Sequence, residues 1–222
     1  MPVLAFSRSS SHRRVRELDD RELLLQMADG TERGGSDAEV ALDELIVRKS
    51  EVLVNVAFRV LGDREEAKDV AQMAFVRAWD HRERYSPQWS PNTWLYRITT
   101  NLAIDHLRSR QSRERMHEPM RLQLRHRQES SSARMMSELR EQEVAAIFDE
   151  LASELTEKQR AIFVLREVEG LASAEVAEIV GCQQSTVRNH LFNARKLLKQ
   201  RLLERYPEYA PAGAEDGVEF DS

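Results

Sequence analysis

Apolar residues recur every three or four positions along most of this chain, the spacing that places them on one face of an α-helix. Each periodic stretch is bounded by Gly, Pro or a cluster of polar residues. No strand is predicted, so the expected fold class is all-α. The predicted helices lie at about 18–29, 37–61, 64–81, 91–111, 136–151, 157–169, 173–180 and 185–205.

Three of these predicted helices start with a local capping signal. A side-chain oxygen just before a helix accepts hydrogen bonds from the free N–H groups of the first turn, and a Glu or Gln three residues later can reciprocate. Proline suits the first helical position because its missing N–H would have no helical partner there. The signals are Asp63 with Glu66, Ser90 with Pro91, and Thr156 with Gln159.

The predicted helices fall into two groups. Residues 112–137 lose the apolar periodicity and contain Pro119 and a run of three serines, which is typical of a linker. The 222 residues suffice for two units that each bury a core. We predict a disordered arm, a helical domain, a flexible linker, a second helical domain and a flexible acidic tail, at 1–17, 18–112, 113–137, 138–206 and 207–222.

Charge is segregated along the chain, although the formal total is −5. Residues 107–127 hold seven Arg against two Glu, and residues 184–205 hold six Lys or Arg against one Glu, whereas residues 138–157 are strongly acidic. Local patches decide where a polyanion binds. The basic stretch at 184–205 is therefore a candidate nucleic-acid surface, while the linker arginines fit RNA or DNA contact and a solvated tether equally well.

Several classes of protein are excluded by the composition. No apolar stretch approaches the ~20 residues of a transmembrane helix, and the apolar run Val3–Phe6 precedes its arginines, the wrong order for a secretory signal. Cys182 is the only cysteine and the six histidines are scattered, which argues against a disulfide or a metal site. No catalytic set of side chains is apparent. We expect a cytoplasmic protein that is not an enzyme and needs no cofactor.

Residues 173–192 have the pattern of a helix-turn-helix. Ala177 is small enough for two helices to cross closely, and Gly181 suits the positive φ of the tight turn. Arg and Asn are well shaped to read guanine and adenine edges, and Lys to contact phosphates. An ordinary hairpin with a solvated basic face is the alternative. The candidate DNA-contacting residues of the second helix are Ser185, Thr186, Arg188, Asn189, Phe192, Arg195 and Lys196.

The predicted third helix carries a second stripe beside its core face. The stripe mixes acidic, amide and apolar side chains, which suits docking against a basic partner helix better than it suits solvent. A solvated face remains the alternative. Its residues fall at offsets of 0, 3, 4, 7 and 11: Asp69, Gln72, Met73, Val76 and Asp80.

The fourth helix and the loop before it resemble a platform for unstacked bases. Hydrogen-bonding side chains lie on one side of the helix, and the loop supplies two aromatic rings on which bases could stack. Packing of Tyr85 and Trp89 under the loop as core residues is the alternative. The candidate residues are Tyr85, Trp89, Asn92, Arg97, Thr100, Asn101 and Arg108.

Three motifs, in order, resemble those of the extracytoplasmic-function (ECF) sigma factors of the sigma-70 superfamily. The resemblance covers about 18–112 and 138–205. The motifs are Asp69–Phe75 for polymerase binding, Thr93–Ile98 with Asn101 for the promoter −10 element, and the helix-turn-helix from Gly170 to Arg195 for the −35 element.

The resemblance implies a sigma2-like helical bundle and a sigma4-like helix-turn-helix domain in an alternative sigma factor. Its expected partners are core RNA polymerase, promoter DNA and an anti-sigma factor, with no membrane insertion. The Asp69–Asp80 stripe would dock on the clamp helices of the β′ subunit, and the second domain would lie near the β flap. Residues 84–92 would capture a flipped base of the −10 element.

Some positions depart from the family pattern. Met73 stands where a glutamate is usual, which leaves one polar contact to polymerase open. Ser185, Asn189 and Asn193 replace common residues on or beside the −35 reading surface, and Pro91–Asn92 replace an aromatic-rich pair. The promoter preference therefore stays open on both elements.

Two other functions remain possible from the residues. A helix-turn-helix regulator acting without polymerase would leave the Asp69 stripe and the 93–101 helix unexplained. A sigma-like decoy that only binds an anti-sigma factor would be expected to have lost the basic reading helix, which is intact here.

Overall fold

Four α-helices form the first unit of the protein, whose computed structural model describes residues 15–29, 36–116, 144 and 146–209. A short 3₁₀ turn, Arg82–Arg84, follows the third helix. Most of the predicted arm and linker, and the tail after residue 209, lie outside the described residues. The helices are α1, Asp20–Asp29; α2, Ser36–Leu61; α3, Arg64–Asp80; and α4, Pro91–Met116.

The described part of the second unit also contains four α-helices. One π-helical turn, Val164–Val168, continues α6, and a 3₁₀ turn, Pro207–Tyr209, follows α8. Within the described ranges the chain has no β-strand, so the predicted all-α class is confirmed. The helices are α5, 146–152; α6, Glu157–Phe163; α7, Ser173–Val180; and α8, Gln184–Arg205.

The predicted caps are present with one exception. Thr156 and Gln159 form the reciprocal capping box, and the Ser90 hydroxyl accepts the N–H of the third residue of α4 at 3.0 Å. Asp63 accepts two N–H groups of α3, at 2.9 Å each. The prediction that Glu66 reciprocates is wrong, because its carboxylate instead accepts from Arg110 of α4 at 3.1 Å.

The two units are packed against each other along α4. Ala161 and Val164 of the second unit lie in one buried apolar cluster with Val60 and Ile104 of the first. Full burial of a Val, Leu or Ile side chain stabilises a folded protein by about 1.5–3 kcal/mol. This cluster therefore contributes substantially to the stability of the contact between the two units.

Polar groups border this interunit layer. The Nε of buried Arg160 donates to the backbone carbonyl of Arg59 at 2.9 Å, and its Nη2 donates to Asp149 at 2.6 Å. Gly62, at φ +76°, ends α2 beside this group, and a Cβ there would collide with the Asp149 carboxylate. Glycine at this position therefore serves both the left-handed turn and the approach of the second unit.

Candidate nucleic-acid and protein interfaces

The second helix of the helix-turn-helix presents its predicted reading face to solvent. Gly181 adopts φ +64° between α7 and α8, as the pattern requires, and Val187 and Leu191 are buried beneath the face. Phe192 is 65% exposed, an unusual position for a large apolar side chain unless it meets a partner. Of the other predicted residues Thr186 is half-buried, and those exposed are Ser185, Arg188, Asn189, Arg195 and Lys196.

Some side chains on this face already form ion pairs or hydrogen bonds with described neighbouring residues, and others do not. Arg195 pairs with Glu167 of the π-helical turn at 2.7 Å, whereas Arg188 has no ion-pair partner in the part of the chain that is described. The Asn193 amide donates to Asn189 one turn earlier at 3.4 Å. The helix starts at Gln184, with Gln183 at the N-cap position, so Ser185 lies inside its first turn.

The stripe predicted on α3 is continuous and solvent-facing. Its apolar members are half-exposed, Met73 at 47% and Val76 at 52%. Exposing two apolar side chains side by side on an otherwise polar stripe is the composition of a contact surface. The three polar members, which are also exposed, are Asp69, Gln72 and Asp80.

The fourth helix, α4, has three distinct faces. Trp94 and Leu95 are buried in the first unit. A second face meets the second unit, where the Thr93 hydroxyl donates to Glu175 at 3.1 Å and the Tyr96 hydroxyl to Glu169 at 3.1 Å. The third face is accessible and carries Arg97, Asn101 and Arg108, three of the predicted DNA-contacting residues.

Thr100 does not lie on the accessible face. It follows Tyr96 by four residues and Thr93 by seven, so helical geometry puts it on the side covered by the second unit. Its exposure is 0%, and its hydroxyl has no hydrogen-bond partner among the described residues. Thr100 is therefore covered in this arrangement of the two units, and in this arrangement it cannot contact DNA.

The loop before α4 is held by its aromatic residues. Tyr85 is 6% exposed, packs edge-on against Trp94 at 5.4 Å, and donates its hydroxyl to the Trp89 carbonyl. Tyr85 is therefore a core residue as placed here, which corrects its assignment as a stacking platform. Burial raises the pKa of its hydroxyl above the ordinary value.

Trp89 remains a candidate platform. It is half-buried, and the Arg97 guanidinium lies 5.1 Å from its ring centre, so a cation and an aromatic face border the same edge of the loop. Asn92 is exposed, and its side-chain oxygen accepts from Lys49 of α2 at 2.9 Å. Arg108 is exposed and lies 3.7 Å from Asp105.

The sequence predicts no role for two carboxylates that lie in or just after the π-helical turn. Glu167 pairs with Arg195 on the reading face, and Glu169 pairs with Arg59 at 2.6 Å and accepts from Tyr96. Burial, followed by the charge of Glu169, raises the pKa of Tyr96 to about 12. The only signal in the sequence was two acids just before Gly170, and the π-helical hydrogen bond that orients them is not readable from periodicity.

Comparison with known families assigns both units. A model described as Sigma-70 region 2 matches residues 45–113, and one described as Sigma-70, region 4 matches residues 145–198. Together they match more than half of the chain, and in the order of the two structural units. These matches and the fold define a sigma-70-type transcription factor.

Similarity to individual proteins shows which group of the sigma-70 family the chain resembles. The chain is 32% identical to the probable RNA polymerase sigma factor RfaY of Xanthomonas campestris over 81% of its length, and spans 44% of that longer protein. It is 29% identical to the RNA polymerase sigma-H factor of Pseudomonas aeruginosa, spanning 93% of it, and 29% identical to the ECF sigma factor SigE of Mycolicibacterium smegmatis, spanning 67%. The chain belongs to the ECF group of the sigma-70 family, whose members are not enzymes.

Solved structures share the fold. CnrH, in complex with the cytosolic domain of CnrY, superposes with a TM-score of 0.58 at 22% identity over 84% of this chain and 98% of CnrH. The sigma factor RpoE of Bartonella quintana, in complex with the anti-sigma factor NepR, gives 0.56 at 19% identity over 74% and 97%. None of the helices in the described residues combines the length and hydropathy needed to cross a bilayer.

Proposed function

We propose that this chain is an alternative sigma factor that binds core RNA polymerase and selects promoters through −10 and −35 contacts. The proposal rests on one observation: a chain that belongs to the sigma-70 family has two separate exposed surfaces suited to binding. One is a half-apolar stripe on α3, and the other is an exposed basic reading face on α8. A regulator working without polymerase has no use for the first.

The α3 stripe is the proposed site for polymerase. Met73 and Val76 supply apolar area, while Asp69 and Asp80 supply negative charge at either end. Such a strip suits a basic partner helix, which we identify with the clamp helices of the β′ subunit. Met73 places a thioether where the resembled family motif usually has a glutamate, so the contact gains apolar area and loses one charge.

The α8 face is the proposed −35 reader. Arg188 and Asn189 are exposed at the start of the helix, where a recognition helix enters the major groove. Arg195 and Lys196, two turns later, are suited to phosphates. The second unit would lie near the β flap.

The −10 element is assigned to the accessible face of α4 and the edge of its loop. Arg97, Asn101 and Arg108 would hold adjacent nucleotides, and Trp89 would stack against a flipped base. Thr100 and Tyr85 are left out because they are buried. We place the protein in the cytoplasm, where polymerase is, with an anti-sigma factor as a further partner.

Run-off transcription with core polymerase on a fragmented genome tests the proposal directly. The purified chain should confer start sites that core polymerase alone lacks, and alignment of their upstream DNA should give two conserved elements. Absence of new start sites would favour the decoy, and specific DNA binding without polymerase would favour the independent regulator. Asp69→Arg, which reverses charge on the α3 stripe, should abolish start-site selection together with polymerase pull-down.

A further inference from the structure

The first unit contains an apolar groove between α2 and α3. Its volume is about 820 Å³. The walls are mostly aliphatic and aromatic, and two acids, Glu39 and Asp43, lie on the α2 side. The apolar lining residues are Leu42, Ile46, Val54, Phe75, Val76 and Trp79.

The groove has an acidic rim. Glu39 and Asp43 are exposed and have no ion pair in the described residues, while the one cation of the lining, Lys68, is held by Glu65 at 2.5 Å. The occupant that fits is therefore an apolar segment flanked by positive charge.

We propose that residues 1–14 of this chain dock the apolar run Val3–Phe6 in the groove between α2 and α3. The run carries Val, Leu, Ala and Phe side chains, and Arg8, Arg13 and Arg14 follow it without any acidic residue in the segment. The other terminal segment, 210–222, also has apolar residues but carries four acids and no base, so the acidic rim repels it.

The position of Val15 brings the segment to the groove. Val15 is 3% exposed and lies in a small cavity on α2 lined by Val40 and Asp43. Asp43 also lines the large groove, so the described chain begins beside it. Phe6 precedes Val15 by nine positions, a reach of about 30 Å when extended. Val54 follows Asp43 by eleven positions on α2, which is about 16 Å along the helix.

Docking there would compete with polymerase. Gln72 and Val76 belong to the α3 stripe and also line the groove, so an occupied groove covers part of the proposed polymerase site. This consequence rests on the proposed function, whereas the docking itself does not. The segment would act as a built-in competitor that polymerase must displace.

Photocrosslinking of the full chain tests the docking. A diazirine amino acid in place of Leu4 should crosslink within the same molecule to peptides of 36–61 and 64–80. Phe6→Asp should reduce that yield at least about tenfold, because it removes a buried aromatic side chain from the contact. Ser9→Asp, which adds the same charge outside the apolar run, should reduce it much less.

The acidic rim of the groove allows a second, independent test of the docking. Asp43→Lys should lower the crosslinked fraction several-fold, and Glu51→Lys, an exposed position of α2 outside the groove, should leave it unchanged. Crosslinks that map elsewhere, or a product of twice the mass that shows a second copy in the groove, would overturn the docking.

Added core polymerase separates the docking from its consequence. Polymerase should suppress the intramolecular crosslink, and the Phe6→Asp variant should bind polymerase more tightly than the Ser9→Asp control. A crosslink that persists in the polymerase complex would overturn the competition. Failure of every variant to bind polymerase would overturn the proposed function and leave the docking result intact.

Discussion

The two helices that are proposed to contact DNA, α4 and α8, differ in how many of their predicted DNA-contacting residues are exposed. On α8 all seven predicted residues are exposed or half-exposed, with Val187 and Leu191 buried behind them. On α4 one predicted residue, Thr100, is covered, because the second unit packs on the stripe that contains it. The predicted DNA-reading face of α8 is therefore accessible. Helix α4 has one accessible edge and one edge that the second unit covers.

This difference shows how one element can serve two contacts. The free edge of α4 follows positions 97, 101 and 108, while the covered edge follows 93, 96 and 100. The covered edge holds the units together through Glu169 and Glu175. Mutations on the two edges should therefore separate into effects on DNA and effects on the interunit contact.

The largest effect is expected on the free reading face. Arg188→Ala should weaken binding to a duplex with the −35 element by roughly 5- to 150-fold, since a good bidentate base contact contributes ~1–3 kcal/mol of discrimination. Fluorescence anisotropy of the polymerase complex on promoters with and without that element measures it. Equal loss on both would mean that Arg188 contacts only phosphates, and polymerase binding itself should not change.

The two edges of α4 can be compared with adjacent substitutions. Asn101→Ala should reduce promoter melting roughly three- to tenfold, as expected for loss of a hydrogen bond or two to DNA, while closed complexes form normally. Thr100→Val should leave melting unchanged and should not lower Tm, because its buried hydroxyl has no partner to lose.

Permanganate footprinting reads the melted bases for both variants. If Thr100→Val impaired melting as much as Asn101→Ala, the units would have to separate on DNA and expose the covered edge. If neither variant impaired it, the −10 contact would lie elsewhere in the first unit.

The elements and the reading face were predictable because their signals are local. The box of Thr156 and Gln159 needs only four consecutive residues, and Gly181 is required by the turn beside it. The placement of Thr100 and Tyr85 was not predictable in the same way. It depends on the second unit, which packs on α4 through Glu169 and Glu175, and on the ring contact of Tyr85 with Trp94. A polar residue on a helix does not reveal whether another unit covers it.

A smaller effect should come from the carboxylate that holds Arg195. Surface ion pairs contribute about 0.2–1 kcal/mol, so Glu167→Gln should tighten binding to the −35 duplex by up to about fivefold by freeing Arg195. Glu154→Gln breaks similar pairs, with Arg201 and Arg205 of the same helix α8 at 2.7 Å each, and controls for the loss of negative charge. Anisotropy at two salt concentrations measures both. Equal gains from the two variants would show that Arg195 is not specifically restrained.

The last effect concerns the covered edge and is seen only at high pH. Burial, followed by the charge of Glu169, raises the pKa of Tyr96 from 10.0 to about 12. The folded protein therefore keeps this proton when the unfolded chain has released it. The stability that Tyr96 contributes is complete below pH 10 and is lost as the pH rises towards about 12.

Glu169→Gln tests that assignment, because it removes the charge but keeps a hydrogen-bond acceptor. The pKa of Tyr96 should fall towards, but not reach, its ordinary value, since burial remains as the larger cause. The measurement is the ultraviolet difference titration between each protein and its Tyr96→Phe counterpart, which isolates this tyrosine from the other three. An unchanged titration in Glu169→Gln would mean that Glu169 does not face Tyr96 in solution, and that the covered edge of α4 is open there.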